Sequence, residues 1–120
     1  GPLTAGRLAT LLGLLAAERI HGKIAKQTLE AIFDEDKDPD VIISEKGWES
    51  ISDQATIDAL VNDVMAAHPD AVVQIHGGDQ KPFGFLIGQI MKASSGRAEP
   101  QAVQAALKRR LSETDRSEVR

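Results

Sequence analysis

Apolar residues recur along this chain at the spacing of helices. Leu8, Leu11, Leu12 and Leu15 fall at positions i, i+3, i+4 and i+7, which places them on one side of a helix. Further apolar stripes of this kind lie within 25–33, 57–65, 83–91 and 103–111. No stretch alternates with period two over the length of a strand. The pattern therefore predicts an all-α fold.

Proline and glycine mark the ends of the predicted helices. Asp38-Pro39 begins a short third helix and Gly47 ends it after Lys46. Proline disfavours helical geometry in the residue before it, so His68-Pro69 ends one helix and starts another short one. We expect a compact bundle of about seven short helices. A weak boundary divides it into a three-helix lobe over residues 1–52 and a four-helix lobe over 53–111, with 112–120 a disordered polar tail.

Composition excludes several classes of function. The chain has 120 residues and no cysteine, so disulfides, thiolate metal sites and cysteine nucleophiles are excluded. Aromatic residues make up 3%, which argues against proteins that stack single-stranded nucleic acid on rings. No apolar run approaches the roughly 20 residues of a membrane span, so we expect no membrane contact. Because the chain begins Gly1-Pro2, we expect a piece of a longer protein or a protease scar.

No residue pattern indicates a catalytic or metal site. His21, His68 and His76 are far apart and none pairs with another at metal-ligand spacing on one helix. The acidic run 34–40 lacks the central glycine of a calcium loop. The glycine-rich segment 77–81 lacks the Lys-Ser/Thr pair of a phosphate-binding P-loop. We therefore expect no catalytic residue, metal ligand or cofactor in this chain.

Charge is segregated along the chain, although the net charge is −4. Residues 30–80 carry thirteen acids and two bases, whereas 81–111 carry six bases and one acid. A basic segment beside an acidic one indicates one surface that attracts anions and another that repels them. A chance distribution of solvated charges is the alternative.

One strip of the predicted helix over 81–92 combines lysines with glycines. At about 100° per residue, Lys81, Phe85, Gly88 and Lys92 fall opposite the apolar stripe, with Gly84 and Gln89 beside them. A glycine inside a helix costs about 1 kcal/mol relative to alanine, so glycines on the outer side need a reason. Either another helix packs there or the backbone of a ligand approaches there.

Lysine beside glycine favours a phosphate backbone as that ligand. The scarcity of exposed aromatics favours folded RNA, recognised by shape and backbone, over single strands. The alternative is a helical protein-interaction module in which the glycines seat a partner helix. The candidate RNA-binding residues are Lys81, Gly84, Gly88, Gln89, Lys92, Arg97, Lys108 and Arg109.

Residues 84–93 read Gly-Phe-Leu-Ile-Gly-Gln-Ile-Met-Lys-Ala, and residues 94–100 read Ser-Ser-Gly-Arg-Ala-Glu-Pro. This segment resembles the C-terminal GatB/YqeY domain family. Shorter segments agree with it, among them residues 22–26, 45–48 and 51–53, so that the resemblance covers nearly all of 4–111. Glu99 departs from the family, which often has asparagine there as a helix cap.

The resemblance implies an all-helical domain that binds the elbow of tRNA on its D-loop side. The domain is the tail of the B subunit in a tRNA-dependent Asp/Glu amidotransferase, which works with the A and C subunits in the cytoplasm. ATP and Mg²⁺ are used by catalytic parts absent from this chain, so the chain is not expected to be an enzyme by itself. The same domain also occurs free-standing or appended to some glutaminyl-tRNA synthetases.

Overall fold

The computed structural model describes residues 1–119, and side chains as far as Asp115. Over these residues the chain forms seven helices and no strand, apart from an isolated bridge between Ile51 and Ala98. The helices are α1 (Ala5–Ala16), α2 (Gly22–Glu35), α3 (Pro39–Lys46), α4 (Gln54–Ala67), α5 (Pro69–His76), α6 (Lys81–Ala93) and α7 (Pro100–Val119). The predicted all-α fold is confirmed.

The local signals at the helix ends act largely as expected. The Thr4 hydroxyl accepts a hydrogen bond from Arg7 N at 3.1 Å and so caps α1. Pro39 and Pro69 occupy the beginnings of α3 and α5, where no intrahelical donor is lost. Gly47 ends α3 with φ of +65°, a left-handed geometry that favours glycine.

Asp38 precedes α3 but does not cap it with its side chain. Its carboxylate instead accepts from Arg7 Nε at 2.9 Å, and the same guanidinium donates to Asp36 Oδ1 at 2.7 Å and to the Pro2 carbonyl. The hydrogen bonds to Asp36 and Asp38 raise the pKa of Arg7. Arg7 therefore fastens α1 to the segment between α2 and α3.

The first compact unit, Gly1–Ser50, has its own apolar core. Ile24, Ile32 and Ile42 are fully buried at its centre, one from α2 near its start, one from α2 near its end and one from α3. Leu11 is buried on α1, whereas Leu12 is 54% exposed. Within this unit only α2 and α3 pack against α1, so most of its leucine stripe faces solvent.

The second compact unit, Ile51–Arg120, packs α4, α5, α6 and α7 around a separate core. Ile57, Leu86 and Leu107 are fully buried there. On α6, Leu86 and Ile90 point inward, and the neighbouring Phe83, Ile87 and Met91 are partly buried against the core. This burial leaves the opposite side of α6 free to face solvent.

The division between the units falls after Ser50, whereas the sequence predicts it after residue 52. The last helix continues to Val119, where the sequence predicts a disordered tail from residue 112. Its extension past Leu111 has local support. Arg110 Nη1 donates to Glu113 Oε2 at 2.6 Å, and the Thr114 hydroxyl lies 3.2 Å from His76 Nε2 of α5. Residue 120 lies outside the described residues.

Candidate nucleic-acid interface

Helix α6 begins at a capped turn and presents one side to solvent. Asp79 Oδ1 accepts from Lys81 N at 3.0 Å and satisfies one of the free donors of the first turn. Leu86 and Ile90 bury the inner side of the helix. The outer side carries five exposed residues, which we call the α6 strip: Lys81, Gly84, Phe85, Gly88 and Lys92. Gln89 is half-buried at its edge.

The two glycines of the α6 strip are open to solvent. Apart from its chain neighbours and the nearby backbone of α6 itself, a Cβ atom built on Gly84 or Gly88 would meet no atom within 4 Å. No other described part of this chain therefore packs against them. Within the second unit, close packing of another helix on these glycines is excluded, and the open space is consistent with the approach of a ligand or partner.

The lysines of the α6 strip carry uncompensated charge. Eleven positions separate Lys81 from Lys92, a rise of about 16 Å along the helix. Among the residues whose side chains are described, no carboxylate forms an ion pair with Lys81, Lys92 or Lys108. Both ends of the strip thus present an ammonium group to an incoming anion.

The remaining candidates lie outside the α6 strip. Arg97 is half-buried in the segment between α6 and α7, and its carbonyl accepts from Ile51 N at 2.8 Å. Lys108 is exposed on α7 and lines a cavity of about 240 Å³ together with Gln80 and Phe83.

Arg109 is turned towards α4. Its Nη2 donates to Asp58 Oδ1 at 2.5 Å, and its Nε lies 3.9 Å from Glu113 Oε1. Because two carboxylates already face this guanidinium, it offers less to an anion than the lysines do. The fold therefore gathers Lys81, Gly84, Gly88 and Lys92 on one strip, and gives Arg109 a contact between helices.

A groove beside the α6 strip was missed by the sequence analysis. It has a volume of about 580 Å³ and lies where the end of α4, the beginning of α5 and the beginning of α6 meet. His68, Asp70, Asp79, Lys81 and Phe85 are among its lining residues. A hint in the sequence is the exposed Phe85 between lysines, but the groove itself depends on the angles at which the consecutive helices α4, α5 and α6 pack, which no local pattern records.

Glu99 caps α7 in spite of its departure from asparagine. Its carboxylate oxygens accept from Gln101 N at 3.1 Å and from Ala102 N at 2.6 Å. A carboxylate near a helix N-terminus also interacts favourably with the helix dipole. The segment that carries Arg97 is therefore held at both sides, by α6 before it and by this cap after it.

Metal-binding and membrane-spanning features are both missing from the described residues. Nowhere among them do three or more histidine and acidic side chains come together as ligands for a metal ion. No helix within that part of the chain is both long enough and apolar enough to cross a membrane.

The fold and the surface define the class of protein. It is an all-helical domain in which one side of α6 exposes lysines and glycines to solvent. Residues 1–111 match the GatB_Yqey family, described as the GatB domain, and the chain belongs to this family.

Curated relatives agree with the family: they include B subunits of aspartyl/glutamyl-tRNA(Asn/Gln) amidotransferases. The chain is 40% identical over 111 residues to the protein of Nitrosococcus oceani, covering 92% of this chain and 23% of that protein. It is 44% identical to the protein of Carboxydothermus hydrogenoformans and 43% identical to that of Hydrogenovibrio crunogenus, each over 110 residues and with the same two coverages. The chain thus spans about a quarter of the length of these relatives.

Proposed function

We propose that this chain is the tRNA-binding domain of an amidotransferase B subunit and that the α6 strip contacts the RNA backbone. One observation carries the proposal: two lysines that form no ion pair with a described carboxylate bracket two glycines that open to solvent. Membership of the family and the tRNA in the names of the relatives support it. The RNA surface bound is the elbow, on its D-loop side.

Each feature of the α6 strip has a part in this contact. Gly84 and Gly88 lack a Cβ, so a sugar-phosphate backbone can approach the helix closely. Lys81 and Lys92 neutralise phosphates at the two ends and release their counterions. Gln89, Arg97 and Lys108 extend the contact at its margins. Arg109 acts through its ion pair with Asp58, which holds α7 against α4.

The rest of the parent protein supplies the other parts of the proposed function. The domain positions a misacylated tRNA so that the catalytic parts, absent from this chain, can amidate its Asp or Glu. Those parts use ATP and Mg²⁺ and bring the A and C subunits of the amidotransferase into the same assembly. We place the assembly in the cytoplasm, with its tRNA substrate.

The test is a titration of tRNA(Gln) and tRNA(Asn) transcripts with the 120-residue chain at several salt concentrations. Wild type should bind with an affinity that falls as salt rises. The double variant Lys81→Ala/Lys92→Ala should bind at least tenfold more weakly, with a salt slope smaller by about two counterions. Circular dichroism verifies that the variant remains helical.

Lys23→Ala/Lys26→Ala is the matched control, because it removes two exposed lysines of α2 and changes the net charge equally. It should bind like wild type. Equal losses in both double variants would show a general charge effect and contradict the proposal. The second candidate is a protein-interaction module in which Gly84 and Gly88 seat a partner helix. It would be favoured if the chain did not bind tRNA but bound a helical peptide with an affinity that does not depend on salt.

A further inference from the structure

The groove beside the α6 strip shares two residues with it. Lys81 and Phe85 belong to the strip and also line the groove, whose other walls come from the junction of α4 with α5. Its volume of about 580 Å³ is sufficient for a nucleoside. A chain of nucleotides that follows the strip would therefore pass the mouth of this groove at Lys81.

Phe85 offers an open ring face inside the groove. Its side chain is 47% exposed, which is unusual for phenylalanine in a folded domain. The ring meets His68 at 4.9 Å between centroids and at 89° between planes. In a perpendicular contact His68 covers at most one face of the phenylalanine ring, which is consistent with stacking of a base on the other face.

The groove carries two carboxylates as well as the ammonium group of Lys81. Asp70 and Asp79 both line it. One oxygen of Asp79 accepts from Lys81 N, whereas Asp70 has no hydrogen bond or ion pair with any described side chain. The two carboxylates offset the charge of Lys81 towards a phosphate, and they accept hydrogen bonds from an uncharged group with adjacent donors. The Watson–Crick edge of guanine presents two such donors, N1–H and the N2 amino group.

We infer that the groove receives one unstacked guanine of the bound RNA. The base stacks on Phe85, its Watson–Crick edge donates to Asp70, and its phosphate remains outside at Lys81. This inference rests on the proposed function and adds to it: the strip contacts the backbone without regard to sequence, whereas the groove recognises a single base.

The experiment compares tRNA(Gln) transcript bound to wild type and to variants of Phe85, by affinity and by kethoxal modification, which reports the N1 and N2 positions of unpaired guanines. Wild type should protect one unpaired guanine. Phe85→Ala and Phe85→Leu should bind about tenfold more weakly, within the range measured for loss of base stacking, and should lose that protection. Phe85→Trp should retain both, because it restores an aromatic face.

Two matched controls accompany these variants. Phe33→Ala removes a phenylalanine that is 54% exposed on α2 and should behave like wild type. Asp70→Asn should reduce the protection of the guanine, whereas Asp63→Asn, at an exposed acid of α4 outside the groove, should not.

The outcomes separate this inference from the proposed function. If wild type binds and Lys81→Ala/Lys92→Ala does not, but Phe85→Ala equals Phe33→Ala, the groove is empty in the complex and only the inference is overturned. Protection of a base other than guanine also overturns it. If wild type shows no salt-dependent binding to tRNA, the proposed function fails and the inference fails with it.

Discussion

Single side chains at helix ends carry much of the local order in this protein. Asp53 accepts from Thr56 N at 3.0 Å and from the Thr56 hydroxyl, and so caps α4. These hydrogen bonds lower the pKa of Asp53 below its ordinary value of 3.8, and the bond from the Thr56 hydroxyl has the largest effect. A carboxylate whose pKa is lowered on folding stabilises the folded state at any pH at which it is ionised.

The lowered pKa of Asp53 determines how the effect of Asp53→Asn depends on pH. The ionised cap stabilises the protein above about pH 4, and the contribution is lost as pH falls through the lowered pKa of the folded state. Asp53→Asn should therefore melt at a lower temperature than wild type near neutral pH, and the two melting temperatures should converge towards pH 2. Thermal unfolding followed by circular dichroism at several pH values measures this.

Asp63→Asn is the control for this series, because Asp63 is exposed on α4 with no described partner. Its difference from wild type should show little dependence on pH. A difference for Asp53→Asn that stayed constant from pH 7 to pH 2 would mean that the charge of Asp53 is not what stabilises the cap.

At the scale of elements, one side of α6 is buried and apolar and the opposite side is exposed and carries two glycines. Its inner side carries Leu86 and Ile90, which are fully buried and hold the helix against the core. Its outer side carries Gly84 and Gly88, which weaken the helix and have open space where a Cβ atom would stand. A position that lowers helix stability without improving internal packing is consistent with a role in binding.

Gly84→Ala and Gly88→Ala should therefore change stability and binding in opposite directions. Each new methyl group enters open space, so each variant should be more stable by about 0.5–1 kcal/mol. The same methyl groups stand where we propose that the RNA backbone approaches, so tRNA binding should weaken. Urea denaturation and tRNA titration of the same preparations measure both effects.

Gly13→Ala provides the comparison, since Gly13 lies within α1 and a Cβ there also meets nothing within 4 Å. It should raise stability by a similar amount and leave tRNA binding unchanged. If Gly84→Ala and Gly88→Ala bound tRNA as tightly as wild type, the proposed close approach of the RNA backbone to α6 would be contradicted.

At the scale of the molecule, the chain has two cores rather than one. Ile32 is fully buried in the core of residues 1–50, and Leu86 is fully buried in that of the second unit. A small core gives a small free energy of unfolding, because a short chain buries a smaller share of its surface. The binding surface that we propose belongs wholly to the second unit.

Substitutions in the two cores should consequently have separate effects. Ile32→Ala and Leu86→Ala should each cost about 2–5 kcal/mol in their own unit. Amide hydrogen exchange should accelerate over residues 1–50 in the first variant and over α4–α7 in the second. Binding of tRNA should be lost with Leu86→Ala and retained with Ile32→Ala. Accelerated exchange over both units in either variant would show that they unfold together.

The candidate site could be predicted in part. The exposed positions of Lys81, Gly84, Gly88 and Lys92 follow from helical periodicity, because the apolar stripe of α6 faces the core and fixes the rotation of the helix. The position of Arg109 could not be predicted, because its partner Asp58 lies on another helix. The sequence predicts Arg109 as an RNA contact from its charge and from its place on the last helix away from Val103 and Leu107, and that role stays a prediction.

The sequence by itself determined the helices, most of their ends and the direction in which α6 faces. These depend on local causes: the period of the apolar residues and the conformational limits of proline and glycine. Only the tertiary structure decided that α1 buries Leu11 rather than its whole leucine stripe, that α7 continues past Leu111, and that a groove forms around Phe85. Each of these depends on which surfaces of packed helices meet, as where Thr114 of α7 contacts His76 of α5, and no local pattern records that packing.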